Sequence, residues 1–216
     1  MGERFKNLID GKWVESTSGA TFEDVNPANK TDVLGEFPRS DHRDIDRAVE
    51  AARTFFPTWS RCPAIQRGDI LYKAARIIEE RADDLSAAMV RESGKVLAEA
   101  QAEVRDGLST LRALAGNGSR VATLSPPPDR AGAVFLATPM PLGVAGVITH
   151  WTFPFAGALW AVASALAAGD TVVFKPAEDT PLSAARLVEM FLEAGLPPAS
   201  LCLVHGYGED AGAPLV

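Results

Sequence analysis

The sequence predicts an α/β fold: part of a doubly wound parallel sheet, with an N-terminal region of short strands and helices packed against it. Two observations carry this. From residue 144 onward, short apolar β-branched runs alternate with helical segments, the order that builds a parallel sheet with helical crossovers. Ahead of that, residues 40–115 read as four successive helices, set off by the glycine- and proline-bearing stretch 116–132, the natural linker.

The elements follow in order. Asp10-Gly11 between Asn7-Leu8-Ile9 and Lys12-Trp13-Val14 predicts a hairpin, because a tight hairpin turn needs two left-handed residues and Asp-Gly supplies them. Asn26-Pro27-Ala28-Asn29 is turn chemistry. Ser40-Asp41 caps a first helix with Ile45, Ala48, Val49 and Ala52 on its apolar face. Pro57 and Pro63 bracket a break, and a second helix covers 64–80 with Ile65, Ile70, Leu71, Ala74, Ala75 and Ile78 inward. A third runs from about Ala82 to Ser93-Gly94 and a fourth over roughly 95–115. Residues 131–138 and 144–149 read as strands. An apolar helix over 155–168 ends at Gly169-Asp170, a strand covers 171–175, and Pro181 opens a helix to 194, stopped by Gly195 and Pro197-Pro198. A strand over 201–205 leads through Gly206-Tyr207-Gly208 into the start of another helix.

Composition narrows the function. A net charge of −7 among 23% charged residues is the wrong sign for a nucleic-acid partner, which needs clustered Lys and Arg. An anionic ligand remains compatible, since helix N-termini and backbone N–H groups hold phosphates without net positive charge. The apolar run 153–168 is shorter than the roughly 20 residues that span a bilayer, so no membrane partner is expected. The N-terminus lacks the apolar core of a signal peptide. Cys62 and Cys202 have no metal-ligand spacing, so no metal site is expected and a reducing, cytoplasmic setting is.

In an open α/β sheet, ligands bind beyond the carboxyl ends of the strands. Three segments fall there: His150-Trp151-Thr152-Phe153-Pro154, Lys175-Pro176-Ala177-Glu178 and Gly206-Tyr207-Gly208. One crevice thereby gathers aromatic, hydroxyl, cationic and carboxylate groups with bare backbone. Lys175 and Glu178 are placed to hydrogen-bond sugar hydroxyls, and Gly206 and Gly208 to admit close approach. The full G-x-G-x-x-G pattern is absent after the first of these strands.

Longer blocks carry a family resemblance. PLGVAGVITHWTFP resembles the aldehyde dehydrogenase segment PLGVVGVITPWNFP, and ALAAGDTVVFKPAEDTPLSAARLVEMFLEAGLPP is similar to the segment that follows it in that family. LIDGKWVES, NPANKTDVLG, ESGKVLAEAQAEV and LVHGYGEDAGAPLV extend the resemblance over essentially the whole chain. It implies a Rossmann-like fold with residues 1–130 packed on a cofactor domain whose first half is 131–216. It implies NAD as cofactor, with NADP disfavoured because a free Glu178 carboxylate repels a 2′-phosphate. Lys175 and Glu178 would contact the adenosine ribose, Gly208 the adenine, and Ile148 and Trp151 the cofactor cleft. The substrate would be a small-molecule aldehyde, with VFKPAEDTPL and VHGYGEDAGAPLV leaning towards members that act on semialdehydes such as 2-oxoglutaric semialdehyde. A homo-oligomer, dimer or tetramer, is implied too.

Two departures from the family pattern matter for the chemistry. Thr152 stands where the family has an asparagine whose side-chain N–H helps hold the oxyanion, and His150 replaces a proline. Losing one oxyanion donor costs on the order of 100- to 1000-fold in rate. The family's catalytic cysteine and general-base glutamate belong to segments that residues 1–216 do not contain, and neither Cys62 nor Cys202 matches the cysteine motif. The chain alone is therefore expected not to oxidise aldehydes. The rival reading is a non-catalytic NAD-binding fragment, or a remnant acting through association with another chain. Strand 144–149 is expected to be an open edge.

Other residues read as structural. Cys202 lies in an apolar strand as a small hydrophobe, and Cys62 in a surface loop. His150 reads as solvent-facing, His205 as structural and His42 as part of a helix N-terminus. Glu92, Lys95, Glu99 and Glu103 read as a solvated helix face. Phe153, Phe155 and Trp160 read as core packing on the sheet.

Overall fold

The computed structural model describes residues 3–118, 120, 124–126, 129–130 and 132–216. The chain opens with β1 (Glu3–Arg4), β2 (Asn7–Ile9) and β3 (Lys12–Val14). Between β2 and β3, Asp10 and Gly11 both adopt left-handed φ, 52° and 69°, the twist that lets two short strands meet through a two-residue loop. β4 (Thr21–Val25) and β5 (Val33–Pro38) pair antiparallel, and β1 joins β5 in parallel, giving a small separate sheet. The turn after β4 is held by Asn26, whose Oδ1 accepts from Ala28 N at 2.9 Å.

Four helices follow: α1 (His42–Trp59), α2 (Ala64–Glu80), α3 (Ala82–Ser93) and α4 (Leu97–Asn117). Asp41 caps α1 by accepting from Arg43 N. The break expected between Pro57 and Pro63 falls at residues 60–63. Pro57 itself lies exposed in the last turn of α1, where its missing N–H forfeits a single bond and the helix continues to Trp59. Gly94, at φ 73°, ends α3. α4 runs on into the expected linker, whose Ser119, Pro127 and Pro128 lie outside the described residues.

The βαβ portion comprises β6 (Val144–Ile148), α5 (Ala156–Ala168), β7 (Thr171–Lys175), α6 (Pro181–Glu193) and β8 (Leu201–Leu203). One turn of π-helix, Gly208–Gly212, and a 3-10 turn, Ala213–Leu215, follow. β6, β7 and β8 are parallel, and the sheet order is β3-β2-β8-β7-β6. The N-terminal hairpin therefore extends the main sheet, with Leu8 paired antiparallel to Leu203. Among the described residues, β6 is the outermost strand on that side of the sheet, as the sequence predicts.

β7 is buried along its whole length because it is covered on both faces. Val172 and Phe174 pack with Leu159, Val162, Leu187 and Phe191 of α5 and α6, backed by α2, α3 and α4. Val173, Cys202 and Val204 face the other way, onto Ile45, Ala48 and Ala52 of α1. The period-two alternation of the strand thus serves two cores.

Three expectations fail. Ile65 is 63% exposed, because the face that α2 buries starts with Arg67 and Gly68 rather than with Ile65. Residues 132–138 form no strand; Leu124 and Ala137 make one isolated antiparallel bridge, and a run of β-formers without a longer partner has no ladder to join. Ala131, the first residue of that expected strand, is outside the described set. Of the aromatic trio, Phe155 alone is core, while Phe153 and Trp160 are exposed.

α2 crosses α4 at Gly68, where a Cβ would stand 2.4 Å from the Ala115 carbonyl oxygen. Gly68→Ala is therefore expected to cost about 1–3 kcal/mol by overpacking. It should appear as a lower urea midpoint at unchanged slope. Native stability in that variant would mean that the helices do not meet there.

Candidate functional site

The carboxyl ends of β7 and β8 build one cluster. Lys175 closes β7 and is 2% exposed. Its Nζ donates to Glu178 Oε2 at 2.6 Å. The other oxygen of Glu178 accepts from Gly208 N at 3.3 Å, across from the β8 side. Burial works against charge on Glu178. Lys175, the residue's own backbone N–H and the Gly208 N–H outweigh it and hold the carboxyl below its usual range. A solvated surface pair would not look like this: the ammonium is buried and the carboxylate is oriented from two sides. The carboxylate stays partly exposed, and each of its oxygens keeps a lone pair for a further donor.

His205 lies beneath this cluster, fully buried, with neither ring nitrogen hydrogen-bonded. Its backbone is pinned on both sides, His205 N donating to Asn7 Oδ1 at 2.9 Å and Ser40 N donating to His205 O at 3.1 Å. Burial, with the Lys175 charge in support, pushes its pKa down to about 3, so the ring is neutral and acts as packing against Phe37. Gly206 is glycine for a local reason: a Cβ there would stand 2.9 Å from Ala211 Cβ and 3.0 Å from Ser40 O.

The remaining residues named from sequence lie on the β6 side. Ile148 ends β6 half-exposed and Trp151 is 53% exposed in the loop that follows. Trp151, Thr152 and Phe153 line a cleft of about 600 Å³ together with Lys95, Glu99, Glu103 and Asp106. Thr152 therefore faces the helices α3 and α4, whereas Lys175, Glu178 and Gly208 meet beyond β7 and β8. Thr152 Oγ1 is hydrogen-bonded to His150 Nδ1, and its carbonyl accepts from Lys95 Nζ at 3.1 Å.

Two glutamates expected on a solvated helix face are buried instead. Glu103, 5% exposed, accepts from Phe155 N and Ala156 N, both at 2.9 Å, and is ion-paired with Lys95. Glu92, 2% exposed, accepts from Leu182 N, Ser183 N and Ser183 Oγ. Each is a remote N-cap, Glu103 for α5 and Glu92 for α6, satisfying donors that every helix start leaves open. For α5 alone the sequence carries a signal, since Phe155 at its N-cap has no side chain that can cap; Thr180 before α6 is a capping residue type yet makes no capping bond. Only Glu99 of the four keeps the exposure expected, with Lys95 half-buried between.

Among the described residues, no group of His, Cys, Asp and Glu is arranged to hold a metal ion, and no helix is long and apolar enough to cross a membrane. Burial pushes the Cys202 thiol up to about 11, so it is inert at neutral pH. Cys62 sits half-buried in the turn after α1. The assembled groups can therefore position and polarise a ligand, through Lys175 and Glu178 on one side and the Thr152 loop on the other.

The profile of the aldehyde dehydrogenase family matches residues 13–216. The alpha-ketoglutaric semialdehyde dehydrogenase of Bacillus subtilis (strain 168) is 40% identical over 98% of this chain, which spans 43% of that protein. Among solved structures, HpcC from Thermus thermophilus superposes with a TM-score of 0.92 at 37% identity, over 99% of this chain and 41% of its own. An NAD-dependent aldehyde dehydrogenase from Sinorhizobium meliloti superposes with a TM-score of 0.94 at 33% identity, over 98% and 43%. The chain thus spans less than half the length of these relatives.

Proposed function

We propose, from the premise that this chain belongs to the aldehyde dehydrogenase family, that it supplies the first strands of an NAD site in an enzyme oxidising an aldehyde to an acid. The pair of buried Lys175 and partly exposed Glu178, oriented by Gly208 at the carboxyl ends of the parallel strands, carries this reading. Lys175 offers an ammonium and Glu178 a carboxylate to two neighbouring sugar hydroxyls. The anion at Glu178 favours a free 2′-hydroxyl over a 2′-phosphate, hence NAD over NADP. Ile148 at the end of β6 and Trp151 in the loop after it, both exposed, would flank the cofactor and shield it from water. When bound, NAD supplies the hydride acceptor.

Thr152 takes the place of an oxyanion donor through its hydroxyl, at the mouth of the cleft shared with Lys95 and Glu103. Neither cysteine is assigned as nucleophile, one being buried and inert and the other in the turn after α1. The chain alone is expected not to turn over aldehyde. Residues 131–216 would form the first half of the cofactor domain, braced by 1–130 and by the hairpin that enters its sheet. The B. subtilis relative supports a semialdehyde substrate. A homo-oligomer is carried over from the family, and the two free cysteines support a reducing, cytoplasmic setting.

Calorimetric titration of the chain with NAD tests the reading. Lys175→Met should weaken NAD about 10- to 100-fold, the worth of roughly 1.5–3 kcal/mol for hydrogen bonds to a charged group. Glu178→Gln, which keeps the shape, should narrow the preference for NAD over NADP. Equal binding of both cofactors by the native chain, or native affinity in Lys175→Met, would remove the proposal.

A further inference from the structure

Two of the positions where this chain departs from the family motif touch each other. His150 Nδ1 and Thr152 Oγ1 share a hydrogen bond, although His150 has replaced a proline and Thr152 an asparagine. We propose that the pair is one device: His150 is a positioning residue whose Nδ1–H donates to Thr152 Oγ1, leaving the hydroxyl proton free to be donated into the cleft. The use of that proton, an oxyanion, rests on the aldehyde chemistry proposed above; the device itself does not.

Counting protons shows why the ring matters. A threonine hydroxyl has one proton, and a neutral imidazole carries one on either nitrogen. If Nε2 holds the ring proton, Nδ1 must accept, Thr152 spends its proton on the ring, and only lone pairs face the cleft. If Nδ1 holds it, Thr152 accepts from the ring and can donate onward, and a hydroxyl that accepts one bond donates the next more strongly.

The surroundings favour the second arrangement. His150 Nε2 lies beside the first turn of α5, 3.8 Å from where a Cβ on Gly157 would stand, and the Gly157 N–H is already given to the Phe153 carbonyl at 3.0 Å. A helix start carries positive potential, which favours a lone pair there over an N–H. Glu103 caps the same turn, but its charge is offset by its ion pair with Lys95. Phe153 stands edge-on to the ring, with centroids 6.2 Å apart. Glu99 and Asp106 of α4 line the same cleft. Lys95 also fixes the Thr152 carbonyl at 3.1 Å, so the loop backbone is held and the side-chain rotor is what remains to be set.

Long-range 1H–15N correlation spectra of the histidine-labelled chain test this. They would be recorded near pH 8, and His150 identified by the signal lost in His150→Gln. His150 should show a protonated Nδ1 and a bare Nε2. Thr152→Val, which keeps the shape and removes the hydroxyl, should shift His150 towards the Nε2–H form. A bare Nδ1 in the native chain overturns the proposal, as does an unchanged tautomer in Thr152→Val. The native spectrum decides even if the variant fails to fold. Because no cofactor is added, an Nδ1–H tautomer in a chain that ignores NAD would sink the cofactor reading and leave the pair standing.

Discussion

Glu103→Ala is expected to destabilise the chain by about 3–5 kcal/mol, the cost of removing one partner from a buried ion pair. The reason lies in what the change leaves behind. Glu103 binds the N–H groups of Phe155 and Ala156 with one oxygen and Lys95 with the other. Alanine would leave two buried donors at the start of α5 without an acceptor, and a largely buried ammonium without its counter-charge. Glu103→Gln should cost less, since the amide oxygen can still accept from α5. Adding Lys95→Met to Glu103→Ala should recover part of the loss by removing the orphaned charge. Urea unfolding of the three variants checks the order. A loss below about 1 kcal/mol in Glu103→Ala, the worth of a surface pair, would restore the reading of a solvated helix face.

The second large effect is on pH. Asp24 and Glu92 are both buried, and Asp24 Oδ2 has no hydrogen-bond partner. Burial is the main cause that pushes Glu92 up to about 8, with the Asp24 charge adding to it and the Ser183 and Leu182 donors opposing it. Burial likewise pushes Asp24 up to about 7, opposed by its hydrogen bond with Glu92 and by Arg91, and reinforced by Asp179. The two carboxyls therefore share a proton near neutrality. Both hold protons more tightly folded than unfolded, so their contribution is intact below the ordinary carboxylate range of about 4 and is lost as pH rises through about 7 to 8. The loss should be on the order of 4 kcal/mol between pH 6 and 8, one pH interval for Asp24 and two for Glu92 at roughly 1.4 kcal/mol each. Asp24→Asn, which keeps a donor for Glu92, should flatten that slope. Equal slopes in the native chain and Asp24→Asn would show that the pair does not titrate as described.

Much of the βαβ portion was legible from sequence because its signals are local. Gly169 and Gly195 stop helices, Pro181 opens one, and the Asp10-Gly11 turn matches the twist that a hairpin needs. The Lys175–Glu178 cluster was legible for the same reason, since both residues lie within one strand end. What escaped was long-range. Nothing in Asn7–Ile9 says that its partner is Leu203, because a three-residue apolar strand pairs with any free edge. Glu92 and Glu103 show the same limit. Their helical spacing fits a solvated stripe, and only the helix starts 90 and 52 residues further along turn them into buried caps. Residues 132–138 failed in the opposite direction, as strand propensity without a partner.

The pairing of Leu8 with Leu203 also has a kinetic consequence. During synthesis the hairpin leaves the ribosome nearly two hundred residues ahead of the strand it pairs with. At synthesis rates of about 5–20 residues per second, the hairpin waits roughly 10–40 s for its partner. During that interval it is a free two-stranded ribbon, too small to be stable alone. Folding of this chain should therefore be gated by late arrival: helices first, sheet closure last. Its slowest step should be the return of the N-terminus to an edge that has only just been made.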